Sequence, residues 1–394
     1  MNDALFLAWR QLLFNRGRTA LLGTALAIVM FLPLGLDRLV DAGETALRAR
    51  AAATPLVAGV EGSPLDVVLS ALYFRDPPGE TIAVADAEAL ASDDLARVIP
   101  LSLGFQAGHA PLVGTSIDYF NLRSLKCAEG RFFAVLGECV IGANVAKRLR
   151  LGAGDRLTTE PVNVLSLAGA YPIRMAVVGV LDASGGADDD AVFTDLRTTW
   201  VIGGLGHGHE DLSAAKADDP SLVIGVQGNV TLGSAKVREF VELDGEHRDA
   251  VHFHGDRAAF PLTAAIVLPH NEKSASILLG RMDAGRLNVA LLRPSIVIDH
   301  LLVEVFRIRR ILLAVLGAVG IAMVVLVGVV VALSIRIRAH ELETFHLVGC
   351  APGRVVLVLG FEIAMLLLGA AVVAATGAVL LSFASDFAVT LFTG

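Results

Sequence analysis

The chain has 394 residues, of which 54% are hydrophobic, with a mean hydropathy of +0.65 and a formal net charge of −8. That balance, with no basic cluster interleaved with aromatics, gives no reason to expect nucleic acid and fits a membrane part joined to a polar one.

Residues 1–14 alternate apolar and polar side chains around Trp9 and Arg10, as a helix lying at a membrane interface does. We read residues 1–18 as a cytoplasmic amphipathic segment. Residues 19–36 carry no charge and follow Arg10, Arg16 and Arg18. Residues 49–53 offer small side chains to a signal peptidase, but the uncharged run is longer than the 7–15 residues of a signal core, so the sequence predicts a retained first transmembrane helix.

Residues 39–306 hold most of the acidic residues and histidines, enough chain for a folded extracytoplasmic domain. Its signals are α+β. Residues 175–181 (MAVVGVL), 263–268 (TAAIVL) and 138–141 read as buried strands. Residues 143–151 read as a helix stopped by Gly152 and turned by Gly154 and Asp155, and residues 185–190 and 203–208 as loops. Cys127 and Cys139 are open to a disulfide in an oxidising compartment or to remaining buried thiols, whereas Cys350 falls in a segment expected to stay reduced.

Histidines concentrate between positions 200 and 300, with two H-x-H pairs, His207 with His209 and His252 with His254. On a strand, H-x-H turns both rings to one face, and imidazole suits Zn, Cu or Ni. A site needs three or four converging ligands, so these four residues are candidates for Zn set against exposed loop histidines.

Residues 311–335 are uncharged between Arg310 and Arg336. At about 1.5 Å per residue they suffice to cross a hydrocarbon core of about 30 Å, as do residues 355–381, interrupted early by Glu362. Arginine counts tie across each span, so orientation follows from the short loops: the N-terminal segment and residues 336–354 inside, residues 39–306 outside, residues 382–394 a tail. An ionisable group within a span is costly, and Glu362 is expected to pair with an arginine such as Arg336, Arg338 or one on a partner, or else to lie at headgroup depth. Residues 340–348 suit a short helix with Glu341 and Glu343 solvated, Leu342, Phe345 and Val348 on one face, and Gly349 as its stop; this fits both a docking element and a plain connector.

No G-x-x-x-x-G-K-[ST] loop occurs and no Lys follows a Gly, so the chain has no phosphate-cradling motif of that kind. It also lacks G-x-S-x-G and H-E-x-x-H, and residues 188–190 (DDD) read as a solvated turn rather than a catalytic set.

Three segments carry a resemblance. Residues 139–155, CVIGANVAKRLRLGAGD, with 177–182, VVGVLD, resemble the strand, Ala-rich helix and Leu-Gly-x-Gly-Asp turn of a MacB-like periplasmic domain. Residues 340–351, HELETFHLVGCA, resemble the cytoplasmic E-I-x-x-L-R-A-L-G-A segment of the same permeases, with Glu341 and Gly349 at matching places and Glu362 where they often carry a Glu. The chain thus resembles permease subunits of MacB/LolC/FtsX-type ABC transporters. The resemblance implies a non-enzymatic subunit of the bacterial inner membrane, paired with itself or a homologous permease. A separate cytoplasmic ATPase would hydrolyse ATP and dock at Glu341, Glu343, Phe345, Gly349 and Arg354, with a periplasmic lipoprotein or accessory protein as a further partner. These permeases normally have a fourth helix after the third, so the resemblance leaves two expectations open, a truncated chain or a three-helix variant. The competing reading is a membrane-anchored receptor or scaffold with a His-rich metal-binding domain and no transport cycle.

Overall fold

The computed structural model describes residues 2–75, 77–161, 172–208, 223–227, 230–233, 241–243, 248, 251–285, 287–337 and 352–382. They form two units, one of residues 1–46 with the segment beginning at His300, the other Leu47–Asp299.

The first unit is helical. A short helix, Asn2–Phe14, precedes three long ones, Arg16–Ala52, Pro294–Ile337 and Pro352–Ser382. These three are long and apolar enough to cross a membrane. The helices outrun the apolar stretches read from sequence because Asp37, Arg38, Asp41 and Glu44 end an uncharged window without opposing helix, and Ala, Leu, Arg and Glu all favour it. Midway, Leu26, Ala27 and Met30 of the first long helix meet Met323 and Val327 of the second and Ala370 of the third. Ala370, Ala374 and Ala378, one turn apart, are all buried. Such a row of small residues allows close backbone approach where no hydrophobic effect drives helices together. A Cβ on Gly377 would lie 3.1 Å from the Phe31 ring. Much of the second long helix is bare, with Ile321 70% and Val324 68% exposed, as suits a helix solvated by lipid.

The short N-terminal helix has one buried edge. Ala8 and Leu12, one turn apart, are buried, and the helix packs on the third long helix. Phe6, Trp9 and Phe14 stay exposed beside Arg10, whose guanidinium lies 5.7 Å from the Phe6 ring centre.

The second unit is a mixed α/β domain around an 11-stranded sheet. Its strands are β1 Leu56–Gly59, β2 Ala96–Ala107, β3 Ala110–Thr115, β4 Cys127–Gly130, β5 Glu138–Ile141, β6 Arg156–Thr158, β7 Ile173–Leu181, β8 Val192–Asp195, β9 Val241–Glu242, β10 Ala264–Pro269 and β11 Ala290–Leu292. The order is β9-β7-β5-β8-β3-β2-β10-β1-β11, with β4 and β6 also paired to β7. Pairing is parallel for β5 with β7, β3 with β8 and β9 with β7, and antiparallel elsewhere. Strand β7 alternates buried and half-buried residues along its length, so Ile173, Met175 and Val177 join Leu112, Cys139, Ile141 and Val192 in one core. A second core gathers Leu56, Ala265 and Val267 with Trp200, Phe260 and Leu278.

Strands expected at 138–141, 175–181 and 263–268 correspond to β5, β7 and β10. The helix after β5 ends earlier than expected, at Leu149. Arg150, not Gly152, takes the left-handed conformation that closes it, at φ 57°, its N–H donating to the Ala146 carbonyl. Residues 206–208, expected in a loop, form a strand paired with Val251–Phe253. Their glycines fit because a Cβ at Gly206 would lie 2.7 Å from the Phe253 ring opposite. Cys127 and Cys139 are both free thiols. Cys127 sits opposite Leu181 and Cys139 opposite Val177 on β7, an offset of roughly 13 Å along the strand, beyond disulfide reach. Burial, then the neighbouring Glu138 charge, pushes the Cys139 thiol far above its usual range.

The helix Glu272–Asp283 starts on Asn271, whose side chain accepts from the Ser274 N–H at 2.9 Å. We expect Asn271→Ala to cost about 1 kcal/mol of stability, read by denaturant unfolding of the full chain.

Candidate functional site

The segment expected to meet an ATPase lies outside the described residues: Glu341, Glu343, Phe345 and Gly349 are not described, and Arg354 is described only as backbone in the helix Pro352–Ser382. Two polar clusters define the helical unit instead.

Glu362 is 5% exposed and is held by Arg18, with Nη2 2.6 Å from Oε1. The partner the structure shows is Arg18 of the first long helix; Arg338 lies outside the described residues. Parallel packing explains it: Arg18 meets Glu362 and Phe31 meets Gly377, so both helices advance in the same direction. At the other end of the apolar run, Arg309 bridges Asp37 and Asp41, donating through Nε to Asp37 at 3.0 Å, through Nη1 to Asp41 at 3.1 Å and through Nη2 to Asp37. This contact, with Leu26 and Met30 near Met323 and Val327, makes the second long helix antiparallel to the first. From Arg18 to Asp37 the first helix rises roughly 28 Å, close to the thickness of a hydrocarbon core. Both ends of its uncharged run are therefore tied by ions to a neighbour, Arg18 to the third helix and Asp37 to the second.

Within the second unit, Arg50 is the centre of a buried cluster. Its Nη1 and Nη2 donate to Asp188 Oδ2 at 2.6 Å and Oδ1 at 3.0 Å, and Nη2 also donates to the Tyr119 hydroxyl at 2.9 Å. Nε donates to the Leu72 carbonyl. The Tyr119 hydroxyl donates to Asp188 Oδ1 at 2.5 Å. The rings of Tyr73 and Phe74 lie 5.7 Å from the guanidinium. Burial alone would raise the Asp188 carboxyl, but the charge and hydrogen bonds of Arg50, with the Tyr119 hydroxyl, outweigh it and hold the group below the usual carboxylate range. Burial, then the Asp188 charge, raises Tyr119, and burial pushes Tyr73 up to about 12.

This corrects the reading of residues 188–190 as a solvated turn. Asp188 and Asp189 are 2% and 4% exposed. Asp189 accepts from the N–H groups of Ser184 and Gly185 and from the Ser184 hydroxyl, so it closes its own turn, and Asp190 accepts from Asn144. None is poised as a catalytic acid. Glu138 is likewise structural: a two-pronged bond from Arg131 at 2.6 and 2.8 Å, aided by the Ala134 and Val135 N–H groups, holds it below the usual range.

Sequence reasoning missed Arg50 and Arg309. Arg48 and Arg50 look alike in an Ala-rich helix, but two positions turn them to different sides: Arg48 pairs with Asp299 in the open, with the two side chains 48% and 51% exposed, while Arg50 is buried.

Of the candidate metal ligands, His209 is outside the described residues and His207 is described only as backbone. The register sets His207 opposite His252, and the rings of His252 and His254 are 4.6 Å apart. Among the described residues no group of three metal-ligating side chains forms, a set that leaves out the side chain of His207.

Apolar helices of membrane-crossing length, tied by ion pairs, and a large mixed α/β domain define a membrane protein with a sizeable domain outside the bilayer. Residues 42–235 match the family model of the MacB-like periplasmic core domain. That part of the chain is a MacB-like periplasmic core domain, and the match supports an ABC-transporter permease of the MacB and FtsX type. Among solved structures, the chain is similar to the periplasmic region of MacB from Actinobacillus actinomycetemcomitans, at 12% identity over 65% of this chain and 95% of that one, TM-score 0.36. It is also similar to the extracellular domain of the noncanonic ABC-type transporter YknZ from Gram-positive bacteria, at 10% identity over 61% and 98%, TM-score 0.33. A domain of a putative permease from Porphyromonas gingivalis matches at 11% identity over 60% and 85%, TM-score 0.26. No curated protein matches the chain.

Proposed function

We propose that this permease relays work: a separate cytoplasmic ATPase binds residues 336–354, and its nucleotide-driven opening and closing passes along the long helices to the periplasmic domain. The protein works in the bacterial inner membrane, as a dimer with itself or with a homologous permease. The observation that carries this reading is the MacB-like periplasmic core domain together with the three membrane-length helices among the described residues. The ionic ties support it, since a helix fixed to neighbours near both ends of its apolar run transmits displacement instead of absorbing it. Lipoprotein release, efflux with an external partner and activation of an envelope enzyme all suit such a relay, and the residues do not favour one.

The test is at the docking segment. Replacing Glu341 with Ala and Gly349 with Val in one chain removes a solvated acid and the helix stop that the resemblance assigns to ATPase docking. The ATPase purified with this variant should hydrolyse ATP at its unstimulated rate. Hydrolysis still stimulated to the wild-type level would defeat the proposal and favour the receptor or scaffold reading, in which residues 336–354 tolerate change and hold no ATPase.

A further inference from the structure

A second arginine stands against the buried Arg50 cluster and is not neutralised by it. Arg50 and Thr54 are four positions apart where the first long helix ends, and Tyr119 and Arg123 are four apart on the helix Ile117–Arg123. The two pairs face each other. Arg50 Nη2 donates to the Tyr119 hydroxyl, Arg123 Nη2 donates to Thr54 Oγ1 at 2.9 Å, and Thr54 Oγ1 donates to the Arg50 carbonyl at 3.0 Å. The Arg123 guanidinium also lies 5.8 Å from the Tyr119 ring centre. Asp188 gives both its oxygens to Arg50. Among the described residues Arg123 has no carboxylate of its own, and its Nε, closed off from solvent, meets no acceptor.

Two guanidinium groups, each protonated at any physiological pH, thus share one carboxylate, and one positive charge is left over where water is largely withdrawn. Burial, then the Arg50 charge, pulls the Arg123 guanidinium below its usual range, as befits a cation in want of a counter-ion. Holding such a charge is costly, and a charge held at that cost marks a candidate ligand site. Arg123 is half-buried, and Asn121, Ser124 and Lys126 beside it are exposed, so the residue lies at the edge of the domain and within reach from outside.

We propose that Arg123 binds an oxyanion, a phosphate or carboxylate group of a ligand from outside the chain. The planar fork of a guanidinium matches two oxygens of such a group, and the low local dielectric strengthens the bond. Arg50 supports the site through its charge without being a ligand, because its donors are taken by Asp188, Tyr119 and the Leu72 carbonyl. The inference stands apart from the transport reading, as oxyanion binding here neither requires nor implies ATPase coupling.

The full chain in detergent is titrated with sodium phosphate and with sodium acetate, each against sodium chloride of equal ionic strength, and its thermal unfolding is followed. A ligand that binds only the folded state raises the midpoint with concentration, by roughly 5–10 °C at a hundredfold excess over its Kd for a domain of this size. Phosphate or acetate should do so and chloride should not. R123M should lose the rise, while R257M, which changes an exposed arginine elsewhere in the domain, should keep it. In chloride alone R123M should unfold no lower than the wild type, because it removes a charge that lacks a counter-ion. Soluble short-chain phosphatidylglycerol, set against phosphatidylcholine of the same chain length, separates a lipid headgroup from a free anion. A rise at concentrations where inorganic phosphate gives none, again lost in R123M, assigns the headgroup. Equal midpoints in phosphate, acetate and chloride, with no response to phosphatidylglycerol, would overturn the site. So would a rise that survives in R123M. A fall of several degrees for R123M in chloride, with no oxyanion response in the wild type, would overturn it too, by showing that a carboxylate of this chain already neutralises Arg123.

Discussion

Arg50→Met is expected to cost the periplasmic domain about 3–5 kcal/mol, because it leaves the Asp188 carboxylate buried without its counter-ion. Asp188 has a side chain only 3% exposed and would retain one strong donor, the Tyr119 hydroxyl. For a domain of this size about 2–4 °C of unfolding midpoint is lost per kcal/mol, so the shift is large enough to read directly on the full chain. Arg50→Lys should not rescue it. A point charge cannot reproduce the fork that reaches both carboxylate oxygens, the Tyr119 hydroxyl and the Leu72 carbonyl at once. Adding Asp188→Asn to Arg50→Met removes the stranded charge and should recover part of the loss. A single variant as stable as the wild type, or a double variant losing the sum of the two single losses, would show that the cluster is not a coupled ion pair.

The same cluster sets an acid limit. The Asp188 carboxyl lies below its unfolded value of about 3.9 when folded, so the folded state binds this proton less readily than the unfolded state. Its contribution is complete above roughly pH 5, shrinks as pH falls through the unfolded value towards the folded one, and is absent below both. Asp188→Asn should therefore lower stability at neutral pH and flatten the fall between about pH 5 and 3. Some slope should remain, because Glu138 is depressed in the same direction by Arg131.

What could be read from the residues was whatever a local pattern encodes. Uncharged runs gave the long helices, and the Val-rich run 175–181 and the turn at Gly154 gave a central strand and its neighbour. The pairing of those strands across the sheet was not legible, since β1 bonds to β10 and β11, more than 200 positions away, and nothing local specifies that choice. The misread segments share one physical cause. Residues 188–190 and 206–208 have loop composition, but tertiary partners override it: Arg50, Ser184 and Asn144 satisfy the aspartates, and Phe253 needs a glycine opposite it. Glu362 was recognisable as a residue needing a partner. Which arginine supplies it depended on helix direction, because only parallel packing brings residue 18 to residue 362.

That ion pair carries the remaining large effect. Glu362→Leu removes the carboxylate that holds the Arg18 guanidinium, 32% exposed, beside an apolar helix face, at a cost of about 2–3 kcal/mol. The midpoint of thermal unfolding in detergent should fall accordingly. Replacing both partners, Arg18→Leu with Glu362→Leu, should restore most of it, since an apolar pair of similar volume is often as stable as a desolvated ion pair. The double variant also separates two roles for the contact. If the tie serves only to hold the first and third long helices together, the restored protein should stimulate its ATPase as the wild type does. If the relay needs a contact that opens and closes, an apolar pair that cannot exchange its partner for water or headgroups should be stable yet poorly stimulated. A Glu362→Leu variant with unchanged stability would mean that Arg18 finds equal compensation in headgroups, and that the row of Ala370, Ala374 and Ala378 suffices to hold the helices.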